Sequence, residues 1–470
     1  MSMKDSILFI DPPASVVGTN SGLGYLAGSL NEKGVRVRVL DFNNNQNNQK
    51  ERLYAELRSG FKLVGFSVKT NTILMAMQIA RWCKDFSGDI VLFVGGPGVT
   101  VAGPQFLDEY GIFDYAFVGE SERSICDFID CVRGEKSHES VKGLCYKRGG
   151  AVIANQAEVP LELDAIPLPD YSAFDTFELK YGYPLVTSRG CPYDCSYCSV
   201  KLVSGKRFRA RSPEGVLKEL KLAKEKYGAR EFQVLDDTFT QKLERTKKIC
   251  ELMISENIGM SWVCPNGIRA DRVDRELFRL MKDAGCKGVW LGIESLDRDV
   301  FNAIKKGEDI EDILNAVKMA QDAGIDVSAF FIIGLPGSTY AKDMETFKKA
   351  KKLRLKLTTW SIATQYPHTA LWDWVQKNGR VLRDYREVSF FVEPKCVFET
   401  DDYTEKERLK VFYKANLAFS RYDCLTAQKS WTKRILAVLK IIILYDACRL
   451  PIHLAVGGWM MAKRAFGQVR

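Results

Sequence analysis

Short apolar runs alternate with amphipathic stretches along the first 133 residues. Such runs are typical of strands buried on both faces, and the stretches between them have the spacing of helices with one buried side. The alternation therefore predicts a doubly wound, Rossmann-like parallel sheet over residues 1–133. The predicted strands cover residues 7–10, 35–40, 63–68, 90–94 and 115–118, and the predicted helices include 22–33, 72–85 and 122–132.

A second series of strands and helices follows a less regular linker at residues 134–183, which contains an expected hairpin around Gly149 and Gly150. From 184 to 365 strand and helix alternate six times, which predicts a partial (βα)6, TIM-like barrel with its chemistry on the loops after the strands. The predicted barrel strands are 184–188, 231–235, 260–264, 288–293, 326–333 and 357–363, and the predicted helices between them include 213–227. The fold class is thus α/β, completed by an accessory region at 366–424 and a basic amphipathic helical tail at 425–470.

Glycine and polar residues follow the strands of the first predicted sheet. In an open parallel sheet a ligand binds beyond the carboxyl ends of the strands. Glycines there allow a backbone to approach a flat or anionic ligand closely, but they also form tight turns that bind nothing. The glycines alone leave both interpretations open. The residues at these strand ends are Ser67, Gly95, Gly96, Gly98, Gly119 and Glu120.

Three cysteines, Cys191, Cys195 and Cys198, lie close together directly after the first predicted barrel strand. Three thiolates can hold three irons of a [4Fe–4S] cube and leave the fourth iron open for substrate. A structural zinc knuckle or buried core thiols are the alternatives. Zinc needs a fourth nearby ligand, but neither a histidine nor a second Cys pair follows at finger spacing, and the chain has only three histidines. The spacing and its polar surroundings therefore favour an iron–sulfur cluster.

The spacing Cys191-x-x-x-Cys195-x-x-Cys198, with an aromatic residue at Tyr197, resembles the motif of the radical S-adenosylmethionine superfamily. The resemblance implies a [4Fe–4S] cluster held by the three cysteines. By the same resemblance, the open iron of this cluster is expected to chelate S-adenosylmethionine, whose reductive cleavage then gives a 5′-deoxyadenosyl radical. It also implies that residues beside the motif and at the ends of the later strands bind S-adenosylmethionine. These residues are Tyr197, Asp236, Asp237, Arg269, Glu294 and Gly334.

A Rossmann-like domain directly before such a barrel resembles the cobalamin-dependent subclass of the same superfamily. This resemblance implies that cobalamin binds at the six strand-end residues of the first sheet. The subclass includes C-methyltransferases and the anaerobic cyclase of chlorophyll synthesis. No histidine precedes His138, so the histidine that ligates cobalt in other cobalamin proteins is absent, and a loop that often reads Gly-Gly-x-His ends in Gly98 here.

These features predict a radical enzyme that functionalises an unactivated carbon. The first hypothesis is cobalamin-dependent C-methylation of a hydrophobic or secondary-metabolite substrate. The second is radical cyclisation, oxidation or rearrangement without methyl transfer, and the third is a non-catalytic iron–sulfur or zinc scaffold. Reductive cleavage further implies an electron donor such as flavodoxin or ferredoxin.

The formal net charge of +9 is concentrated in the tail, because residues 425–470 carry eight Lys and Arg residues against one acidic residue. The rest of the chain is nearly neutral, which argues against a nucleic-acid partner. The apolar segments of the tail are too short to span a bilayer, but with Trp431 and Trp459 they suit a helix at a membrane surface. A helix packed on the barrel or on another subunit is the alternative.

The sequence shows no export signal, and its 13 cysteines fit a reducing compartment. The expected location is therefore the cytoplasm. If the tail lies at a membrane surface, the protein would be peripheral on the inner face of the membrane. A small-molecule or lipid-like substrate fits both arrangements.

Overall fold

The computed structural model describes residues 6–14, 18–387, 394–419 and 431–446. The chain divides into two compact units. The first comprises residues 1–193, 199–266 and 276–287, and the second comprises residues 194–198, 267–275 and 288–470. The first unit thus contains the predicted Rossmann-like domain, the linker and the opening part of the predicted barrel. The domain boundaries drawn along the sequence stay a prediction.

An open, mostly parallel sheet forms the amino-terminal part of the first unit. Its strands are β1 (Ser6–Asp11), β2 (Arg36–Asp41), β3 (Leu63–Ser67), β4 (Val91–Gly95), β5 (Tyr115–Phe117), β6 (Leu144–Arg148) and β7 (Ala151–Ala154), and its helices are α1 (Ser21–Glu32), α2 (Gln49–Arg58), α3 (Ile73–Phe86), α4 (Pro97–Ala102), α5 (Phe106–Glu109) and α6 (Ser124–Arg133). The spatial order is β2-β1-β3-β4-β5-β6-β7. The chain places β2 on one side of β1 and then crosses to place β3 on the other side. The crevice beyond the carboxyl ends of β1 and β3 is therefore the topological switch point of the sheet.

The predicted doubly wound sheet is confirmed, with one addition. Its central strands are buried, as Leu8, Ile10 and Val64 illustrate, because apolar side chains meet helices on both faces. The hairpin expected around Gly149 and Gly150 is present as β6 and β7. It does not stand apart in a linker, however, but extends the sheet by antiparallel pairing with β5. Antiparallel strands need no crossover helix, so the alternation of strands and helices did not signal this extension.

The remainder of the first unit begins the βα repeat of the predicted barrel. It contains β8 (Tyr183–Leu185), β9 (Ser188–Arg189), β10 (Arg209–Ala210), β11 (Glu231–Val234) and all but the last two residues of β12 (Ser261–Ile268), with α7 (Val200–Val203), α8 (Pro213–Tyr227), α9 (Leu243–Ser255) and all but the first residue of α10 (Arg275–Asp283). β11 pairs in parallel with both β8 and β12. The predicted strand 184–188 is split, because β9 leaves β8 and pairs antiparallel with β10. This β9–β10 ribbon encloses the Cys motif along the chain.

The second unit continues the repeat. Its elements are all but the first two residues of β13 (Cys286–Glu294), then β14 (Asp326–Ile333), β15 (Thr358–Ile362), β16 (Arg380–Val381) and β17 (Phe398–Glu399), with α11 (Arg298–Ala303), α12 (Ile310–Asp322), α13 (Tyr340–Ala350), α14 (Ala370–Asn378), α15 (Glu405–Ala418) and α16 (Trp431–Asp446). β14 pairs in parallel with β13 and β15, as a βα barrel requires. The α/β fold class and the helical carboxyl-terminal region are therefore confirmed.

Only part of the predicted tail belongs to the described residues, namely α16, which packs against α15. The rest of 425–470 lies outside them. In the described part of the chain, no helix combines the length and the apolar composition needed to cross a membrane.

Candidate active site

The three cysteines predicted to hold the cluster lie between β9 and β10. Cys191 belongs to the first compact unit, and Cys195 and Cys198 belong to the second. All three thiols are half-buried, whereas Cys250 and Cys264 are buried, and this burial raises their pKa. Since iron is bound by thiolate, partly accessible loop thiols fit a [4Fe–4S] cluster and buried apolar thiols do not.

The ligand assignment itself stays a prediction. No group of three or more Cys, His, Asp or Glu side chains within the described ranges is arranged to enclose a metal ion. The assignment rests on the motif and on the accessibility of its thiols.

The first half of the motif has a fixed backbone. The Gly190 amide donates to the Asp237 carboxylate at 3.0 Å, and the Cys191 amide donates to the Gly205 carbonyl at 3.1 Å. Gly190 has φ +87°, and a Cβ there would lie 2.3 Å from the Arg207 carbonyl oxygen. Only glycine tolerates this close approach, so the residue before Cys191 sets the direction in which the motif leaves β9.

The second half of the motif is fixed within the second unit. The Ser196 amide donates to the Ile304 carbonyl at 2.8 Å, and the Ser196 carbonyl accepts from the Leu371 amide at 2.8 Å. The Cys198 amide donates to the Cys195 carbonyl at 3.1 Å. These bonds hold the backbone of two predicted ligands without using their thiols.

Asp236, predicted to bind S-adenosylmethionine, holds the segment that leads into the motif. Its carboxylate accepts from the Thr187 amide and hydroxyl, both at 2.6 Å, and from the Ser188 hydroxyl at 2.5 Å. Burial raises the pKa of Asp236, although these hydrogen bonds favour its charged form. Asp236 and Asp237 at the end of β11 therefore support the β9 side of the Cys motif.

Tyr197 and Glu294, also predicted to bind S-adenosylmethionine, meet in the second unit. The Tyr197 hydroxyl donates to Glu294 Oε1 at 2.9 Å. Lys306 Nζ lies 3.6 Å from Glu294 Oε1 and 2.9 Å from Glu308 Oε2. Burial raises the pKa of Glu294, opposed by Lys306. Burial by itself favours a lower pKa for Lys306. The attraction of the Glu308 and Glu294 carboxylates is the stronger effect, so the pKa of Lys306 is raised.

We call this group of Tyr197, Glu294, Lys306 and Glu308 the Glu294 network. Two carboxylates and one ammonium leave it acidic, which suits a ligand carrying a sulfonium and an ammonium group. Lys306 and Glu308 were not predicted from the sequence. They lie on the short loop before α12, which has no motif of its own.

Arg269 and Gly334 lie in the same unit. The Arg269 guanidinium donates to the carbonyls of Lys306 and Gly307, each at 3.0 Å, and thereby fixes the loop that carries Lys306.

Gly334 has φ +78°, and its amide donates to Asp343 at 3.0 Å. The Gly334 backbone is packed beneath the buried guanidinium of Arg408, which the sequence did not indicate.

The glycines after β4 are explained by packing within the first sheet. A Cβ on Gly96, which has φ +98°, would lie 2.9 Å from the Val68 carbonyl oxygen, and a Cβ on Gly98 would lie 3.0 Å from the Lys69 carbonyl carbon. These distances leave no room for a side chain between the loops after β3 and β4. This packing agrees with the second interpretation of the sequence, in which the glycines form tight turns. Cobalamin binding at these glycines stays a prediction.

Ser67, Gly95 and Gly119 lie at or just beyond the carboxyl ends of β3, β4 and β5. The Gly119 amide donates to the Thr100 hydroxyl at 3.0 Å. The Ser67 hydroxyl accepts from the Asn20 side chain at 3.1 Å. The predicted cobalamin residues therefore share one edge of the sheet, as parallel strands require.

Glu120 lies in a buried ion-pair cluster. Arg189 donates to Glu120 at 2.7 Å and to Glu122 at 2.6 Å, and Arg209 donates to Glu120 at 3.0 Å. Arg189 and Arg209 are directly opposed in the β9–β10 ribbon, where two like charges repel unless an anion lies between them. Although burial opposes the shift, hydrogen bonds and charge from both guanidiniums lower the pKa of Glu120. Glu120 thus joins the loop after β5 to the ribbon that encloses the Cys motif.

Comparison with known proteins identifies the family. Residues 185–350 match the radical SAM superfamily, and residues 14–129 match the B12 binding domain. An uncharacterized methyltransferase of Pyrococcus horikoshii is 30% identical over 432 residues, which are 88% of this chain and 92% of that protein. The anaerobic magnesium-protoporphyrin IX monomethyl ester cyclase of Rubrivivax gelatinosus is 27% identical over 462 residues, 93% of this chain and 82% of that protein.

A solved structure has the same fold. It is the radical S-adenosylmethionine methyltransferase TsrM from Kitasatospora setae with cobalamin and a [4Fe–4S] cluster bound, at TM-score 0.66 and 19% identity, covering 78% of this chain and 77% of that one. The chain therefore belongs to the radical S-adenosylmethionine superfamily, in the subclass that carries a B12-binding domain. Membership confirms the predicted enzyme class and implies a [4Fe–4S] cluster, S-adenosylmethionine and cobalamin as cofactors.

Proposed function

We propose that this enzyme is a cobalamin-dependent C-methyltransferase acting on an unactivated carbon of a small hydrophobic molecule or secondary metabolite. The observation that carries the proposal is a B12-binding domain directly before a radical barrel, in a chain related along most of its length to a protein described as a methyltransferase. When bound, the cluster and S-adenosylmethionine supply the radical, and cobalamin supplies methyl-transfer chemistry. In this proposal Cys191, Cys195 and Cys198 bind the cluster.

The Glu294 network gives a testable role to one carboxylate. Replacing Glu294 by glutamine keeps the side-chain size but removes the charge that faces a cationic ligand. We expect the Kd for S-adenosylmethionine of the reconstituted protein to rise about tenfold or more, since a hydrogen bond to a charged group contributes about 1.5–3 kcal/mol. Anaerobic equilibrium dialysis measures it.

The matched control is Glu311→Gln in the same unit, because Glu311 pairs with Arg298 at the surface. Its Kd for S-adenosylmethionine should equal that of the unmodified protein. Equal affinities in all three proteins would remove Glu294 from the binding site.

Radical cyclisation is the second candidate reaction, and the similarity to the Rubrivivax gelatinosus cyclase favours it over other radical chemistry. It shares the cluster, S-adenosylmethionine and the 5′-deoxyadenosyl radical with the first candidate. It differs in that no methyl group leaves S-adenosylmethionine, so no S-adenosylhomocysteine forms.

Metal analysis after anaerobic reconstitution tests whether the cofactors of this proposal are loaded. We expect about four irons and four sulfides per chain, together with cobalt after incubation with cobalamin. Addition of dithionite and S-adenosylmethionine should then release 5′-deoxyadenosine. Zinc without iron, and no cleavage of S-adenosylmethionine, would contradict the proposal and favour a metal scaffold.

Two partners complete the proposal. Reductive cleavage needs a low-potential electron, which we assign to a flavodoxin or ferredoxin.

We also propose that the enzyme works in the cytoplasm and contacts the inner face of the membrane through α16. Leu436 and Ile443 on this helix are 67% and 59% exposed, and Lys440 is exposed between them. These positions recur at helical spacing, so they form one exposed face, as on an interfacial helix.

Replacing both Leu436 and Ile443 by glutamate should abolish co-sedimentation of the protein with vesicles of anionic phospholipid, because it removes the apolar contact and adds repulsion from the lipid headgroups. The control is Leu314→Glu on α12, which changes an exposed leucine outside the tail. Co-sedimentation of the double variant at the level of this control would exclude α16 as a membrane contact.

A further inference from the structure

A buried carboxyl group lies at the switch point of the first sheet. Asp11 is the last residue of β1, and only 2% of its surface is exposed. Its Oδ1 accepts from Asn20 Nδ2 at 2.8 Å, and the same Asn20 nitrogen lies 3.1 Å from the Ser67 hydroxyl at the end of β3. The three side chains therefore bridge the ends of β1 and β3, the position where a sheet of this order binds its ligand.

The second oxygen of Asp11 is the unusual feature. Among the residues that the structure describes, Oδ2 is buried and has no hydrogen-bond partner. Leaving a buried acceptor unsatisfied costs about 1–3 kcal/mol, so such an atom in a folded protein calls for an explanation. A ligand that supplies the missing partner is one explanation.

Burial also changes the chemistry of this carboxyl group. Burial and the nearby Asp41 raise the pKa of Asp11 to about 7, against the opposing effects of Lys69 and Asn20. Near neutral pH the group can therefore accept a hydrogen bond as a carboxylate or donate one as an acid. A side-chain carboxamide complements both forms, because it has an N–H donor and a carbonyl acceptor.

We propose that Asp11 Oδ2 binds a carboxamide side chain of the corrin ring, with Asn20 and Ser67 holding the Asp11 carboxyl group in place. The inference rests on cobalamin being the cofactor of this enzyme. Corrinoids carry carboxamides around the edge of the ring, so a ring placed over the β1–β3 crevice presents them to this strand end. Asp11 belongs neither to the glycine-containing loops nor to the Cys motif, and it would fix the rotation of the ring over the sheet.

Binding of aquacobalamin to the unreduced full-length protein, followed by absorbance, tests the proposal without requiring activity. Asp11→Ala should raise the Kd about tenfold, the loss expected for one good hydrogen bond in a buried site. Asp11→Asn should stay within about threefold of the unmodified protein, because the amide keeps the shape and can still donate and accept. The control is Asp89→Ala, which should not change the Kd. Asp89 is exposed and precedes β4, so it lies at the amino-terminal ends of the parallel strands, away from Asp11.

Cobinamide separates a contact to the ring from a contact to the nucleotide tail, because it lacks the tail and keeps ring carboxamides. The Asp11→Ala effect should persist with cobinamide, and its disappearance would overturn the ring assignment. Asn20→Ala, which removes the support of Oδ1, should weaken binding in the same direction and covers the case in which Asp11→Ala fails to fold. If folded Asp11→Ala binds corrinoid with unchanged affinity, the Asp11 contact is overturned but cobalamin remains the cofactor. If the unmodified protein binds no corrinoid, the assignment of cobalamin as the cofactor is itself contradicted.

Discussion

Replacing Cys195 by alanine is expected to abolish cluster assembly and leave the amino-terminal sheet folded. A cubane with only two protein thiolates loses a further iron ligand, and the backbone bonds that hold the motif do not involve its thiols. We expect the iron content after anaerobic reconstitution to fall from about four per chain to below about one. Cobalamin binding should be unchanged, because Cys195 lies outside the first sheet.

The control for this variant is Cys126→Ala in α6. Cys126 is half-buried like the motif thiols but lies outside the motif, so its removal should leave the iron content unchanged. A full cluster in Cys195→Ala, with 5′-deoxyadenosine formed at the normal rate, would show that this thiol is not a ligand.

Replacing Glu120 by alanine is expected to lower the free energy of unfolding by about 3–5 kcal/mol. The change leaves two guanidiniums buried against each other, with side-chain exposures of 15% for Arg189 and 2% for Arg209. Removing one partner of a buried ion pair costs this much because the remaining charge stays desolvated. Glu122 can still neutralise Arg189, so we expect the loss to fall mainly on Arg209. Urea denaturation measures the change.

Glu158→Ala is the matched control. Glu158 lies 3.8 Å from Arg123, and both side chains are about half exposed, at 51% and 54%. Exposed pairs of this kind contribute at most about 1 kcal/mol. If the two variants lost the same small amount of stability, the Glu120 ion-pair cluster would not hold the β9–β10 ribbon. Because this ribbon encloses the Cys motif, we also expect Glu120→Ala to incorporate less iron.

Elements with strong local signals could be predicted from the sequence at almost the same residues. α8 spans 213–227 as predicted, because Pro213 occupies its first turn, the Ser212 hydroxyl accepts from the Gly215 amide, and Gly228 adopts the left-handed conformation that ends it. β14 likewise spans the predicted 326–333. Local capping and a continuous apolar run determine these boundaries.

Features that depend on pairing between distant segments were not predictable. The split of the first barrel strand depends on pairing between Arg189 and Arg209, and no periodicity marks either. Glu120 meets Arg189 across 69 residues of chain, and Lys306 reaches Glu294 from a loop without a motif. The Cys motif, in contrast, is a local spacing of three residues, so the sequence alone identifies it. The sequence thus indicated the chemistry of the site and several of its charged residues, but not the long-range ion pairs that these residues form.

The most direct test of methyl transfer is the identity of the products made from S-adenosylmethionine. The reconstituted enzyme, loaded with cobalamin, is reduced anaerobically and supplied with S-adenosylmethionine and a small-molecule extract as the source of substrate. Chromatography with mass detection then quantifies S-adenosylhomocysteine and 5′-deoxyadenosine. A cobalamin-dependent methyltransferase forms both, and S-adenosylhomocysteine disappears when cobalamin is omitted. Formation of 5′-deoxyadenosine alone would contradict methyl transfer and leave radical cyclisation or another rearrangement as the reaction.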